Sequence, residues 1–273
     1  MDDTDGPAII RLSIGDAPAG LALSTEAHWN QNEADWRFFL TRGIVFGIVE
    51  RDIGLIATAA LLPFAEGNAW ISMVLVTASR QRRGLATRLV DACINEATRQ
   101  KRTAWLDATP AGATVYGALG FTPAGCSQRM RFAGGGAMQA ALPAGDISEL
   151  LRRDFRAMGF DRSALLLELS GRPGSCIVAQ DGAIALIRDG RTARHIGPLM
   201  ADDASSAARL LAAIVQSETG PFLLDLNNAR SELIDELAAA GWSNERPFQR
   251  MRFGLINATG PELAFAGAGP EYG

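Results

Sequence analysis

Cysteine and histidine are scarce in this chain, with three cysteines and two histidines among 273 residues. Cys93, Cys126 and Cys176 show no paired spacing, and His28 and His195 stand far apart. Neither a disulfide framework nor a metal site is expected from them, and the thiols read as small buried hydrophobes. No apolar run approaches the roughly 20 residues of a membrane span. The opening Met1-Asp2-Asp3-Thr4-Asp5 is acidic where a secretion signal is basic, which predicts a cytoplasmic location. A formal charge of −4 argues against general binding to nucleic acid or a membrane surface. Arg80, Arg82, Arg83 and Arg88 do cluster, but without interleaved aromatics. Two nucleotide signatures are also missing: no Gly-Lys-Ser/Thr opens a helix, and no Gly-x-Gly-x-x-Gly follows a strand. What remains, 48% hydrophobic and 21% charged, is a globular chain long enough for two domains.

The most informative stretch runs from Ala69 to Thr87. Ala69-Trp70-Ile71-Ser72-Met73-Val74-Leu75-Val76 is apolar and β-branched enough to be a buried strand. A polar turn, Thr77 to Arg83, comes after it. Leu85, Leu89, Cys93 and Ala97 then recur every fourth residue, which predicts an amphipathic helix opening at Gly84. A strand, a tight turn and a helix start make an anion site. The first-turn amides have no acceptor within the helix, and the helix dipole adds positive character there. Gly84 and Ala86 carry almost no side chain, so a phosphate can come close to the backbone. The stretch reads as a diphosphate cradle.

Gln81 to Ala86 fits Gln/Arg-x-x-Gly-x-Gly/Ala and resembles the acetyl-CoA pyrophosphate loop of the GCN5-related N-acetyltransferases, the GNAT family. The order of predicted elements is similar to that family too: strand to Val76, loop, helix from Gly84 to about Arg99, strand Thr103 to Ala108, short helix with Tyr116, then Gly120-Phe121. Leu106-Asp107-Ala108-Thr109-Pro110-Ala111-Gly112, with Tyr116 and Leu119-Gly120-Phe121, resembles its second half. The specific resemblance covers Trp70 to Phe132, and a looser one reaches back to about Ile9. It implies a mixed α/β (α+β) sheet of GNAT type.

The chain also contains a repeat. Gly120-Phe121 precedes Gln128-Arg129-Met130-Arg131-Phe132, and Gly241-Trp242 precedes the identical Gln249-Arg250-Met251-Arg252-Phe253. Both pairs are offset by 121 positions (241 − 120 and 249 − 128). Leu106-Asp107-Ala108-Thr109 is matched loosely by Leu224-Asp225-Leu226-Asn227. Ala207 to Val215 and Glu232 to Ala240 stand where the two helices of the first copy stand. The region Gly182 to Met200 reads as a hairpin feeding the first of them. These matches imply a tandem duplication: residues 1–135 as the first GNAT-like domain, 136–146 as a Gly/Ala/Pro linker, 147–256 as the second, and 257–273 as a frayed tail or a strap. The second copy has Ala201-Asp202-Asp203-Ala204 where the first has its cradle, and no tyrosine in its short helix. Acids opposite a pyrophosphate repel it, so this degenerate copy is expected not to bind CoA. It would instead complete a substrate cleft or a dimer interface.

The resemblance assigns roles. Backbone groups of Met73 to Val76 would hold the pantetheine arm and the thioester carbonyl, with Leu75 and Val76 foremost and Val74 beside them. Gln81, Arg82, Arg83, Gly84, Leu85, Ala86 and Thr87 would hold the pyrophosphate, and one or two of the arginines the 3′-phosphate of CoA. Tyr116 would protonate the departing thiolate, a task that suits a phenol; otherwise it is a packed helix tyrosine. Asp107, at a strand end, is either the general base or a helix cap. Glu50 and Glu66 are weaker candidates for the base. Trp29, Asn30 and Gln31, with Trp36 and His28 nearby, lie in the segment that lines the acceptor side, or else form core and solvated surface. The implied activity is transfer of acetyl from acetyl-CoA to a primary amine by direct transfer, without a metal, in a monomer or homodimer. The alternative is a non-catalytic acyl-CoA-binding sensor.

Overall fold

The computed structural model of the chain describes residues 7–134, 142–254 and 264–273. Most of the expected linker, 136–141, and residues 257–263 of the expected tail lie outside them. The described residues divide into two units that do not coincide with the sequence copies: residues 7–106, 114–122 and 252–254 form unit one, and 107–113, 123–134, 142–251 and 264–273 form unit two.

Unit one is a mixed sheet carrying helices. Its strands are β1 (Ile9–Arg11), β2 (Ile44–Glu50), β3 (Gly54–Pro63), β4 (Asn68–Val76) and β5 (Thr103–Ala108), in that spatial order. The first four pair antiparallel, and β4 pairs parallel with β5. Parallel neighbours need a crossover, which α3 (Leu85–Arg99) supplies. It buries Leu85, Leu89, Val90, Cys93, Ile94 and Ala97, the stripe its periodicity predicts. Helices α1 (Ala17–Glu26) and α2 (Glu33–Arg42) precede the sheet core. Asn32 starts α2 with a capping box: its side chain accepts from the Asp35 amide at 3.1 Å, and its own amide donates to Asp35 Oδ2 at 2.8 Å. The two helices meet where the Trp36 ring covers Gly20, and a Cβ on Gly20 would lie 2.4 Å from that ring. The short helix α4 (Pro110–Ala118) contributes its second half, including Tyr116, to this unit.

Unit two repeats the plan. After α5 (Ile147–Met158) and α6 (Ser163–Ser170) come β7 (Cys176–Gln180), β8 (Ala183–Asp189) and β9 (Arg194–Ala201), an antiparallel series. The expected hairpin into α7 (Ala204–Ser217) is thus present. Strand β10 (Phe222–Asn227) runs parallel to β9 at its start, and α8 (Ser231–Ala239) leads to β11 (Ser243–Phe253). The core is aliphatic, with Leu210, Leu211, Ile214, Leu224 and Leu233 all fully buried.

The strand that ends the first sequence copy, β6 (Thr122–Phe132), is built into unit two from Pro123 onward. It pairs antiparallel with β10 from Phe222↔Phe132 to Asn227↔Ser127. Reciprocally, residues 252–254 at the end of the second copy belong to unit one, where Phe253 packs 5.6 Å from Phe121. Residues 264–273 are ordered and not frayed. They belong to unit two and begin with β12 (Ala264–Ala266), which pairs with both β9 and β10.

Candidate functional site

The strand before the cradle is bent where its pairing with β3 slips. β3 and β4 keep register from Pro63↔Ala69 to Ala60↔Ser72, then slip by a bulge and resume at Thr58↔Leu75. Met73 sits in the bulge at φ 52°, a left-handed conformation that bulges accommodate. Thr58 donates its hydroxyl hydrogen to the Met73 carbonyl at 2.8 Å and fixes the kink. On the other edge, β4 and β5 pair only from Asn68↔Thr103 to Trp70↔Trp105. Beyond Trp70 the β5-facing edge of β4 has no strand partner among the described residues. Val74, Leu75 and Val76 stand on that unpaired stretch.

The loop from Thr77 to Gly84 is held at both sides. The Glu26 carboxylate, at the end of α1, accepts from the Thr77 hydroxyl at 2.8 Å and from the Ala78 amide at 2.9 Å. Arg80 donates from Nε and Nη2 to Glu50 at 2.9 and 2.8 Å. That hydrogen bond holds the Glu50 carboxyl below its ordinary range, so Glu50 is a paired loop anchor and not a free base. Gln81 donates to the Val76 carbonyl at 3.2 Å. Two residues then take positive φ, Arg82 at 62° and Gly84 at 76°. Gly84 caps α3 without a side-chain hydrogen bond, and a Cβ placed on it would meet nothing within 4 Å. Among the described residues, the amides of Arg82 to Thr87 make no hydrogen bond to the chain. An uncapped helix start with open space before it and arginines around it fits a pyrophosphate. The residues present therefore fit the diphosphate end of CoA.

Tyr116 reaches the same helix. Burial, with the Cys93 thiol of α3 close by, pushes its phenol up to about 12. Its ring stands 6.1 Å from Phe121, so packing holds it in place. Asp107 has a different setting. It belongs to unit two, where its Oδ1 and Oδ2 each accept from Arg250 at 2.9 Å. Its side chain is 5% exposed and does not cap α4. Each oxygen accepts one hydrogen bond from Arg250, so the carboxylate is held as a buried ion-pair partner with one acceptor position left on each oxygen.

In the segment expected to line the acceptor side, Asn30 and Gln31 are buried, Trp29 is partly exposed and His28 is exposed. Gln31 Oε1 is buried without a hydrogen-bond partner. Trp36 is core: it is fully buried, and its indole donates to the Ser24 hydroxyl at 3.0 Å. Glu66 is exposed in the β3–β4 turn. Of the thiols, Cys93 is buried as expected, whereas Cys126 is exposed and Cys176 half-buried, so the hydrophobe reading holds for one of three.

Sequence reasoning missed the partners of the repeat. Arg129 donates from Nε and Nη2 to the two oxygens of Asp225 at 2.8 and 2.7 Å, and His195 Nε2 lies 2.9 Å from Asp225 Oδ2. Arg250–Asp107 is the equivalent pair in the other direction. Each pentapeptide arginine thus pairs with the strand aspartate of the opposite sequence copy. The signal was present in the identical Gln-Arg-Met-Arg-Phe, which packing alone does not require. Burial raises the Asp225 carboxyl, but Arg129 and the hydrogen bonds from Arg129 and His195 outweigh it and hold Asp225 well below the usual range. Burial, with Arg188 nearby, lowers His195. A pocket of about 630 Å³, solvent at its mouth included, opens beside these pairs in unit two, lined among others by Asp107, Asp225, Arg250 and Arg162.

The acetyltransferase (GNAT) family pattern matches residues 13–121, and an acetyltransferase (GNAT) domain pattern matches 150–262. The uncharacterized N-acetyltransferase YitH of Bacillus subtilis (strain 168) is 27% identical over 258 residues, covering 90% of each chain. Among solved structures, a candidate acetyltransferase of Pyrococcus horikoshii superposes with TM-score 0.81 at 16% identity, over 98% of this chain and 96% of that one. A tandem GNAT protein from the clavulanic acid biosynthesis pathway gives TM-score 0.64 at 14% identity, over 92% and 99%. The chain belongs to the GNAT acetyltransferase family and carries two of its domains in tandem.

Proposed function

We propose that unit one binds acetyl-CoA and transfers its acetyl group directly to a primary amine. The observation that carries this reading is the parting of β4 and β5 after three residue pairs, beside a helix start where the amides of Arg82 to Thr87 make no hydrogen bond among the described residues. An extended arm can add to the unpaired edge of Val74 to Val76 as a strand would. Gln81, Arg82, Arg83, Gly84, Leu85, Ala86 and Thr87 hold the pyrophosphate, with Glu26 and Glu50 fixing the loop that presents them. The amine lone pair attacks the thioester carbonyl, a β4 amide stabilises the developing oxyanion, and the C–S bond breaks. Tyr116 donates a proton to the sulfur, and the proton that the attacking nitrogen loses passes through solvent and restores the phenol. Its raised pKa keeps the phenol protonated at neutral pH, so a donor is always present.

Trp29, Asn30 and Gln31 face the acceptor in this reading. The unsatisfied Gln31 Oε1 suits an N–H donor, which an amine supplies. The second copy binds no CoA: Asp203 caps α7, its carboxylate accepting from the Ser206 amide at 2.7 Å where a phosphate would sit. Thiol release from acetyl-CoA with a panel of amines tests the activity. Turnover with at least one amine, reduced in Tyr116→Phe, supports it. Acetyl-CoA binding without turnover on any amine, unchanged by Tyr116→Phe, favours the sensor.

A further inference from the structure

In both units two parallel strands pair for three residues and then part. In unit one these are β4 and β5; in unit two they are β9 and β10, paired from Arg194↔Phe222 to Ile196↔Leu224. The second gap is filled. Strand β12 lies in it antiparallel to both walls, with Ala264↔Met200 and Ala266↔Leu199 on one side and Leu226↔Ala266 on the other. The Gly267 amide extends the ladder by donating to the Asp225 carbonyl at 3.2 Å. We infer that the β9–β10 gap is a peptide-strand site whose occupant is the chain's own segment 264–273, and that this occupant closes the second copy to acyl-CoA. The comparison rests on the reading of the β4–β5 gap as the place of the thioester arm.

The site is built for a peptide. Phe265 is 1% exposed within the core of unit two, and the flanking Ala264 and Ala266 are small enough to lie between two strands. Gly197 makes room for the main chain, because a Cβ there would stand 2.0 Å from the Gly267 carbonyl oxygen. Two buried arginines anchor residues 268–273. Arg188 donates to Glu271 Oε1 at 2.8 Å and to the Ala268 carbonyl at 2.9 Å, with its guanidinium 5.3 Å from the Tyr272 ring centre. Arg162, itself paired with Asp154, donates to the Tyr272 carbonyl at 3.1 Å and to that of Gly273. Main-chain ladders supply affinity and the Phe265 and Glu271 positions supply selectivity, the usual division in strand addition.

The test uses a full-length chain in which residues 256–262 are replaced by a protease recognition sequence, cut after folding. The freed segment is expected to stay with the body through gel filtration. A labelled synthetic peptide spanning Ala264 to Gly273 should exchange for it at one equivalent per chain. The same peptide with Ala266→Pro, which removes a central ladder amide, should bind at least roughly tenfold more weakly. Loss of the segment on cutting with an unchanged thermal midpoint, or equal binding of the two peptides, would overturn the peptide site. Acetyl-CoA should leave the segment in place, whereas its release by a second bound equivalent of acetyl-CoA would overturn the closure. Failure of the intact chain to bind acetyl-CoA at all would count against the reading of unit one and leave the peptide exchange to stand on its own.

Discussion

Replacing Arg129 with Met exposes how the exchanged strand β6 is tied into unit two. Arg129 is 3% exposed and Asp225 4% exposed, and both carboxylate oxygens accept from the guanidinium. Without it, Asp225 keeps only the hydrogen bond to His195 and becomes a buried charge with no cation in contact. Breaking a buried pair by removing one partner costs about 3–5 kcal/mol, and that is the loss expected at about pH 8. The loss should shrink toward acid. In the parent, burial keeps His195 neutral and lowers its pKa, so the unfolded chain takes up more protons below about pH 6.5 and stability falls. In Arg129→Met the orphaned carboxylate favours the imidazolium, which then replaces the missing cation. Urea unfolding at about pH 8 and about pH 5.5 should show a loss smaller by about 1 kcal/mol at the lower pH. Adding Asp225→Leu should recover most of the stability at about pH 8. A loss under about 1 kcal/mol at about pH 8, or an identical loss at both, would refute the reasoning. Arg250→Met should cost less, about 1–3 kcal/mol, since Arg250 is 24% exposed.

Unit one yields further expected outcomes. Tyr116→Phe should lower kcat roughly a hundredfold with acetyl-CoA affinity nearly intact, as stopped-flow turnover and titration can show. The parent's pH–rate profile should have no falling limb from this phenol below about pH 11, because its pKa is pushed up to about 12. Glu26→Ala removes the carboxylate that holds Thr77 and Ala78, and should weaken acetyl-CoA roughly fivefold in calorimetry while the fold persists. Gly20→Ala forces a Cβ into the Trp36 ring and should cost about 1–3 kcal/mol in thermal or urea melts.

Local order is what the sequence makes legible. The α3 stripe, the β5 strand and the Gly84 start each depend on residues a few positions apart, and periodicity exposes them. The spacing of the repeat likewise reveals the second copy. Partners far apart stay hidden: Asp107 looks like a free strand-end acid, because Arg250 lies 143 positions away on β11. Met73 gives no sign of its left-handed backbone, since the bulge comes from the pairing of β3 with β4 and not from local preference. Segment 264–273 is too short and too rich in small residues to show strand alternation. It is ordered by Arg162 and Arg188, which belong to other elements. Trp36 misleads in the opposite sense, because an amphipathic ring in a polar stretch suits a cleft wall as well as a core.

Calorimetric titration of the purified chain with acetyl-CoA, alongside Gly84→Glu, tests the central claim most directly. The variant places a carboxylate in the open space before α3 and a side chain at φ 76°. One saturable site per chain, lost in Gly84→Glu with circular dichroism unchanged, is the predicted result. Two sites, no site, or one site that survives the substitution would contradict it.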